Sequence, residues 1–224
     1  MPPPDGLPRF TRAERFAHRA VAALGLVLMA SGLILYLPAL SILIARRTLV
    51  EGIHVGAGLA LPLPVFAVWL SPAFRRDLQA LNRFVPADWT WLRARDRRSL
   101  ALPVGKFNAG QKLAAAAFGA AGVVLLGTGL MLLLPGQLGL SDGLRQGATL
   151  VHDTTTLALI ALLAGHANLA YRHPEARRAM RTGAMDRAYA LQHHPAWAPH
   201  DPAHTASGGE VQSPPTALDD QRTG

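Results

Sequence analysis

The chain has nine histidines and no cysteine, so imidazole is its main group for binding a metal or carrying a proton. Two of the nine, His152 and His166, fall inside the apolar run "VHDTTTLALIALLAGHANLAY" at 151–171. On a helix, fourteen residues give about 21 Å of rise with only about 40° of net rotation. Both rings therefore project from one face, one toward each end of the run. His18 and His54 lie in or beside two further apolar runs. Taken singly, a histidine in such a setting is a candidate ligand, proton relay or interhelical hydrogen-bonding group. Disulfides, iron–sulfur clusters and thiolate sites held by this chain are excluded by the missing cysteine.

The elements that must position these rings are apolar blocks. Half of the 224 residues are hydrophobic, yet mean hydropathy is only +0.20, because the charges are gathered between the blocks. Four blocks reach the roughly 20 apolar residues a bilayer-spanning helix needs: about Ala17–Leu37, Leu49–Leu70, Leu113–Leu134 and Ala148–Tyr171. In lipid the backbone must satisfy its own hydrogen bonds, so each block is expected to be a helix. The first is too long for the apolar part of a signal peptide, and "LILYLPALS" is a poor cleavage site. The expected fold class is all-α, an integral membrane four-helix bundle. Its divisions are a segment at 1–16, the transmembrane domain at 17–172 with a loop at 71–112, a basic segment at 173–197 and a disordered tail at 198–224, rich in Pro, Gly, Ser and Asp. No internal repeat stands out beyond a loose similarity between helix pairs.

Charge orients the bundle. Of 22 Lys and Arg, four precede or open the first helix, nine lie between Ser71 and Lys112, and five between Arg172 and Arg187. The positive-inside rule then puts both termini and the long loop in the cytoplasm of a bacterial inner membrane. The pI near 11.1 needs no nucleic acid to explain it, since the positive-inside pattern accounts for the charge, whereas a nucleic-acid reading would want basic residues and aromatic stacking platforms interleaved on a folded surface. Within the long loop, arginines alternate with Phe74, Phe84, Trp89 and Trp91. This suits either a headgroup-level segment facing anionic lipid or a partner, or a solvated basic loop.

With this topology the four histidines sort by depth: His18 with His166 on the inner side, and His54 with His152 on the outer. A b-type haem takes one axial ligand on each face of its iron, and two imidazoles from different helices can supply them. Two stacked haems would make an electron wire across the membrane. Gly32, Gly56, Gly58, Gly127 and Gly129 offer room for a flat ring, or equally for close helix packing. Zinc fits poorly, as neither level adds a carboxylate or thiolate to its two imidazoles. His173, His193, His194, His200 and His204 lie outside the blocks and are expected to be solvated.

The stretches "ERFAHRAVAALGLVLMASGLILYLPAL", "LVEGIHVGAGLALPL", "VGKFNAGQKL", "LVHDTTTLALIALLAGHANLAY" and "QHHPAW" resemble, in order and spacing, the membrane cytochrome b (gamma) subunit of respiratory formate dehydrogenase. The similarity runs from about Arg12 to Trp197, and "GKFNAGQK" is its most specific piece. It implies a di-haem b protein taking electrons from iron–sulfur and molybdenum- or tungsten-containing catalytic subunits. They would pass to ubiquinone or menaquinone, and this chain would not itself oxidise formate. The resemblance assigns His54 and His152 to one haem iron and His18 and His166 to the other, as the depth pairing does.

It also implies that Asn108, Gly110, Gln111 and His166 line a quinone pocket. Physically, Asn108 and Gln111 can donate hydrogen bonds, Gly110 permits close approach, and Lys106 or Lys112 could bias the site electrostatically. Without the resemblance, the same residues read as a helix-entry turn with lysines reaching toward water. Arg19, Val55 and "YRHPEARRAMRTGAMD" depart from the family pattern. They spare the ligands but touch surfaces where partners would bind. A cytochrome b subunit of a hydrogenase or of a thiosulfate or polysulfide reductase is therefore the nearest alternative. A haem-free membrane anchor or proton-relaying transporter is the alternative of another class.

Overall fold

The computed structural model describes residues 6–95 and 102–198. The disordered tail expected at 198–224 lies outside them except for Ala198. The elements are β1 (Leu7–Pro8), α1 (Arg12–Tyr36), α2 (Pro38–Ile44), α3 (Arg47–Ala60), α4 (Leu63–Val68), α5 (Pro72–Asn82), α6 (Pro86–Arg93), α7 (Ala109–Leu133), α8 (Asp142–Arg172), α9 (Pro174–Thr182), β2 (Ala184–Met185) and α10 (Arg187–His193). Four helical spans are long and apolar enough to cross a membrane: α1, α3 with α4, α7 and α8. They match the four expected blocks but start earlier, because polar first turns extend each helix beyond its apolar part. A turn at Leu61–Pro62 separates α3 from α4, where proline withholds a backbone donor.

The spans pack as two hairpins. α1 lies against α3 and α4, α7 lies against α8, and α3 meets α7. The two hairpins also repeat each other, more closely than the sequence suggested. α1 and α7 both have 25 residues, and a shift of 97 positions carries 12 to 109 and 36 to 133. The same shift pairs Arg9 with Lys106, Phe10 with Phe107, Gly25 with Gly122, Ser31 with Thr128, Gly32 with Gly129 and Pro38 with Pro135. Both helices open with a reciprocal capping box, Thr11 with Glu14 and Asn108 with Gln111, which satisfies two otherwise orphaned N–H groups. The paired phenylalanines also touch, with ring centres 6.3 Å apart.

A small folded cap closes the end of the bundle from which α1 and α7 start. β1 pairs antiparallel with β2, Leu7 opposite Met185, and Leu7, Ala179, Met185, Ala190 and Ala198 form its core with Phe10, Tyr189 and Trp197 against them. Arg9 is buried in it. Its guanidinium donates to Lys106 O and, at 3.0 Å, to Met185 Sδ, and lies 5.1–5.8 Å from the centres of Phe10, Phe107 and Trp197. Burial lowers its pKa to about 10, with the charge of Asp77 opposing the shift. It therefore stays cationic at neutral pH, satisfied by π faces and acceptors.

His194 was expected to be solvated, but it is buried at 5% exposure, with Nδ1 2.8 Å from Gly105 O. Apolar packing around Trp197 and Ala198 encloses it. Burial, and then the charge of Arg9, lower its pKa to about 4. His173 is exposed, His193 stacks on Tyr189 at 4.2 Å, and His200 and His204 lie outside the described residues.

The loop is anchored rather than free. Lys106 Nζ lies 2.6 Å from Asp77 of α5, and Lys112 Nζ lies 2.6 Å from Asp88 of α6 while donating to Arg83 O at 2.8 Å. Burial raises the Asp77 pKa, against the opposing hydrogen bond from Lys106. Phe84 packs on Trp89, and Arg75, Arg76, Arg83 and Arg93 are exposed. This combines an arginine surface with a rigid attachment to α7.

Two outcomes follow from the cap. Gly183 ends α9 with φ +91°, its carbonyl accepts from Arg9 N and Phe10 N, and a Cβ there would stand 2.7 Å from Phe10 O. Gly183→Ala should therefore destabilise the cap by about 1–3 kcal/mol, seen as faster proteolysis of the N-terminal segment in detergent. For His194, whose folded pKa is depressed, cap stability is complete above about 6.5 and declines as pH falls toward about 4. The loss is up to roughly 3 kcal/mol. Thermal unfolding of wild type against His194→Asn across that window measures it, and the variant should show the shallower pH dependence.

Candidate haem-binding site

Two imidazole pairs form between the helices, each joining helices from different hairpins, with His54 and His152 half-buried and His18 and His166 exposed. His18 of α1 faces His166 of α8, and His54 of α3 faces His152 of α8; ring centres are 6.3 Å apart in both pairs. The interplanar angles are 83° and 65°. Two imidazoles on opposite sides of one metal ion, each bound at about 2.0–2.1 Å through a nitrogen about 1.1 Å from its ring centre, have centres about 6.3 Å apart. Both pairs have that span.

Local sequence shapes the rings of the second pair. His54 rests on Gly32 of α1, where a Cβ would approach Cε1 to 3.3 Å, and His152 rests on Gly129 of α7, where the corresponding distance is 3.6 Å. The preceding residue supplies a hydroxyl in each case. Ser31 Oγ lies 2.9 Å from His54 Nδ1 and 2.7 Å from Val27 O; Thr128 Oγ lies 2.9 Å from His152 Nδ1 and 2.8 Å from Val124 O. A hydroxyl that gives its proton to a backbone carbonyl four residues back can accept one from Nδ1–H. Nε2 is then the nitrogen with the lone pair, the form a metal requires. Of the glycines expected to make room, Gly32 and Gly129 do so for the imidazoles. Gly58 meets Leu28, and Gly56 and Gly127 have nothing within 4 Å.

Among the described residues, His18 and His166 have no hydrogen-bond partner, and Phe118 stands edge-on to His166 at 5.6 Å. No group of three or more His, Cys, Asp or Glu capable of holding a metal occurs among the described residues either. The donor set at each level is two imidazoles from different helices, set among apolar residues. It suits a metal whose remaining positions come from a planar macrocycle, and it leaves zinc's tetrahedral set unfilled.

The "GKFNAGQK" residues take up a partly different arrangement from the expected one. Asn108 Oδ1 accepts from Gln111 N at 2.9 Å, and Gln111 Oε1 accepts from Asn108 N at 3.0 Å, so both side-chain carbonyls are engaged in the helix cap. Neither side-chain amide nitrogen has a partner among the described residues. The close approach that Gly110 permits is made by Trp91 of α6, with Cη2 3.0 Å from where a Cβ would sit. Lys106 and Lys112 do not stand as free charges beside this turn, nor reach toward water, since each pairs with an aspartate. A cleft of about 300 Å³ nearby is lined by Arg83, Asp88, Trp91, Phe107 and Lys112 among others, but not by Asn108, Gly110, Gln111 or His166.

Sequence reasoning missed Ser31, Thr128, Asp77, Asp88, Arg9 and Trp91 as positioning groups. For Ser31 and Thr128 a signal existed, a hydroxyl followed by glycine in each of two apolar helices. The aspartates lie 24 and 29 residues from their lysines, and no local pattern marks such pairs.

Among curated proteins, none matches this chain. The family model for prokaryotic cytochrome b561 matches residues 9–185. That span takes in all four membrane-spanning helices and both imidazole pairs. The chain therefore belongs to the prokaryotic cytochrome b561 family, integral membrane proteins that bind haem b and transfer electrons.

Proposed function

We propose that this chain is the di-haem b membrane subunit of a formate dehydrogenase-like complex, receiving electrons from an iron–sulfur and catalytic subunit pair and delivering them to quinone. The observation that carries the two-haem reading is the pair of 6.3 Å imidazole separations, one at each level of α8. His54 and His152 would hold one iron and His18 and His166 the other. Bound there, haem b supplies reversible one-electron transfer. Glycine at 32 and 129 lets the outer-level rings lie against neighbouring helices, and Phe118 packs beside His166.

The quinone site is proposed at the start of α7. With their carbonyls engaged in the capping box, Asn108 and Gln111 present amide N–H groups, the polarity a quinone oxygen needs. His166 and Gly110 complete the proposed lining. The excess of Lys and Arg at the capped end supports a cytoplasmic position for the cap and both termini. Quinone would then take up protons from the cytoplasm while electrons move inward, work of about 2.3 kcal/mol per charge per 100 mV.

Arg19 is exposed on α1, and "YRHPEARRAMRTGAMD" forms part of the cap, with Arg172, Arg177 and Arg181 exposed on it. Both depart from the formate dehydrogenase pattern. They favour, as a second reading, the same electron transfer with a hydrogenase or a thiosulfate or polysulfide reductase as donor.

A dithionite-reduced minus oxidised spectrum of the purified chain, with haem quantified per polypeptide, tests the core of the proposal. Two haems b are expected. His166→Ala should retain one reducible haem and lose quinone reduction. A wild-type chain without haem, made where haem is abundant, would leave the histidines as proton relays or packing groups. A His166→Ala variant that still reduces quinone would overturn the inner assignment.

A further inference from the structure

We infer that Ser31 and Thr128 are equivalent positioning residues that lower the reduction potential of the outer haem and leave the inner one untouched. The inference rests on the di-haem reading above and deepens it. It comes from the repeat: the two hydroxyls occupy the same place in α1 and α7 at the 97-residue shift, each is followed by glycine, and each meets Nδ1 of the outer-level histidine of its own hairpin at 2.9 Å. The two are also buried, and each is fixed by a second bond to the carbonyl four residues back.

When Nε2 binds iron, Nδ1 keeps its proton and donates it to the hydroxyl oxygen. The hydroxyl proton goes on to Val27 O or Val124 O. A ligand imidazole whose Nδ1–H is hydrogen-bonded is a stronger donor to the metal, and so favours the oxidised ion. Both axial ligands of the outer iron would carry this bias. Among the described residues the inner pair has no such bond. The repeat bears on the difference: position 115, which the shift pairs with His18, is alanine, whereas His54 and His152 stand 98 positions apart, one residue off the shift that pairs Ser31 with Thr128, so only the outer level is built from matching halves. A lower outer potential makes transfer toward the inner level downhill.

The test is a spectroscopic redox titration of the purified full chain as wild type, Ser31→Ala, Thr128→Ala and the double variant, with Ser31→Thr and Thr128→Ser as conservative controls. The component that persists in His166→Ala identifies the outer haem. Each alanine variant should raise the outer midpoint potential and the double variant should raise it further. The inner potential should stay at its wild-type value, as should both components in the controls. Loss of the outer haem alone from an alanine variant, with full occupancy in its control, would also support the inference. Two retained haems with an unmoved outer potential, an equal shift of both, or loss of both haems would overturn it. A wild-type chain without haem would instead overturn the di-haem reading, and this inference with it.

Discussion

Everything in the bundle follows from the cost of placing an imidazole among apolar helices. A polar ring in lipid must find a partner or forfeit its hydration, and four such rings are spread over three helices. Around His54 and His152 the bundle answers with hydroxyls that are themselves satisfied by their own helix backbone, so both hydroxyls and both Nδ1 atoms find their partners within the protein. The glycine after each hydroxyl removes the side chain that would push the ring away. Helix sequence, ring orientation and donor chemistry are thus parts of a single arrangement made twice.

The cap shows the same economy at the membrane boundary. Lys106 and Lys112 would be ordinary surface cations in a soluble helix entry, yet here each closes on an aspartate from α5 or α6 and holds the long loop against α7. Arg9 goes further into the protein and is enclosed by three aromatic rings and two acceptors. The N-terminal strand, the loop and the C-terminal segment therefore meet around the "GKFNAGQK" turn. The geometry of that turn depends on residues nearly a hundred positions away on either side.

Much of this was legible from the sequence because it is periodic. Four apolar blocks have a fixed minimum length in lipid, and fourteen residues of helix bring His152 and His166 to one face whatever surrounds them. What escaped notice depends on similarity rather than identity, or on contacts across long separations. Ser31 and Thr128 differ as residue types, and the repeat that relates them becomes clear only when the helix ends coincide. Asp77 and Asp88 sit among arginines, which are nearer in sequence than their true partners. His194 carries no local mark of burial, because Trp197 and Ala198 enclose it only after the chain has turned. The quinone reading of Asn108 and Gln111 rests on their amide donors, and the helix cap engages the side-chain carbonyls instead.

Among the described spans, α8 alone contributes a histidine to both imidazole pairs, and it runs without interruption for 31 residues. The distance between the two levels is therefore set by the pitch of a single rod and not by how four helices settle against one another. Breathing motions that splay the hairpins can open either imidazole pair, but they cannot change how far apart the two stations stand. With haem at both pairs, as proposed, the distance on which electron transfer depends most steeply would be written into covalent connectivity. The softer packing is left to govern only whether each station is formed.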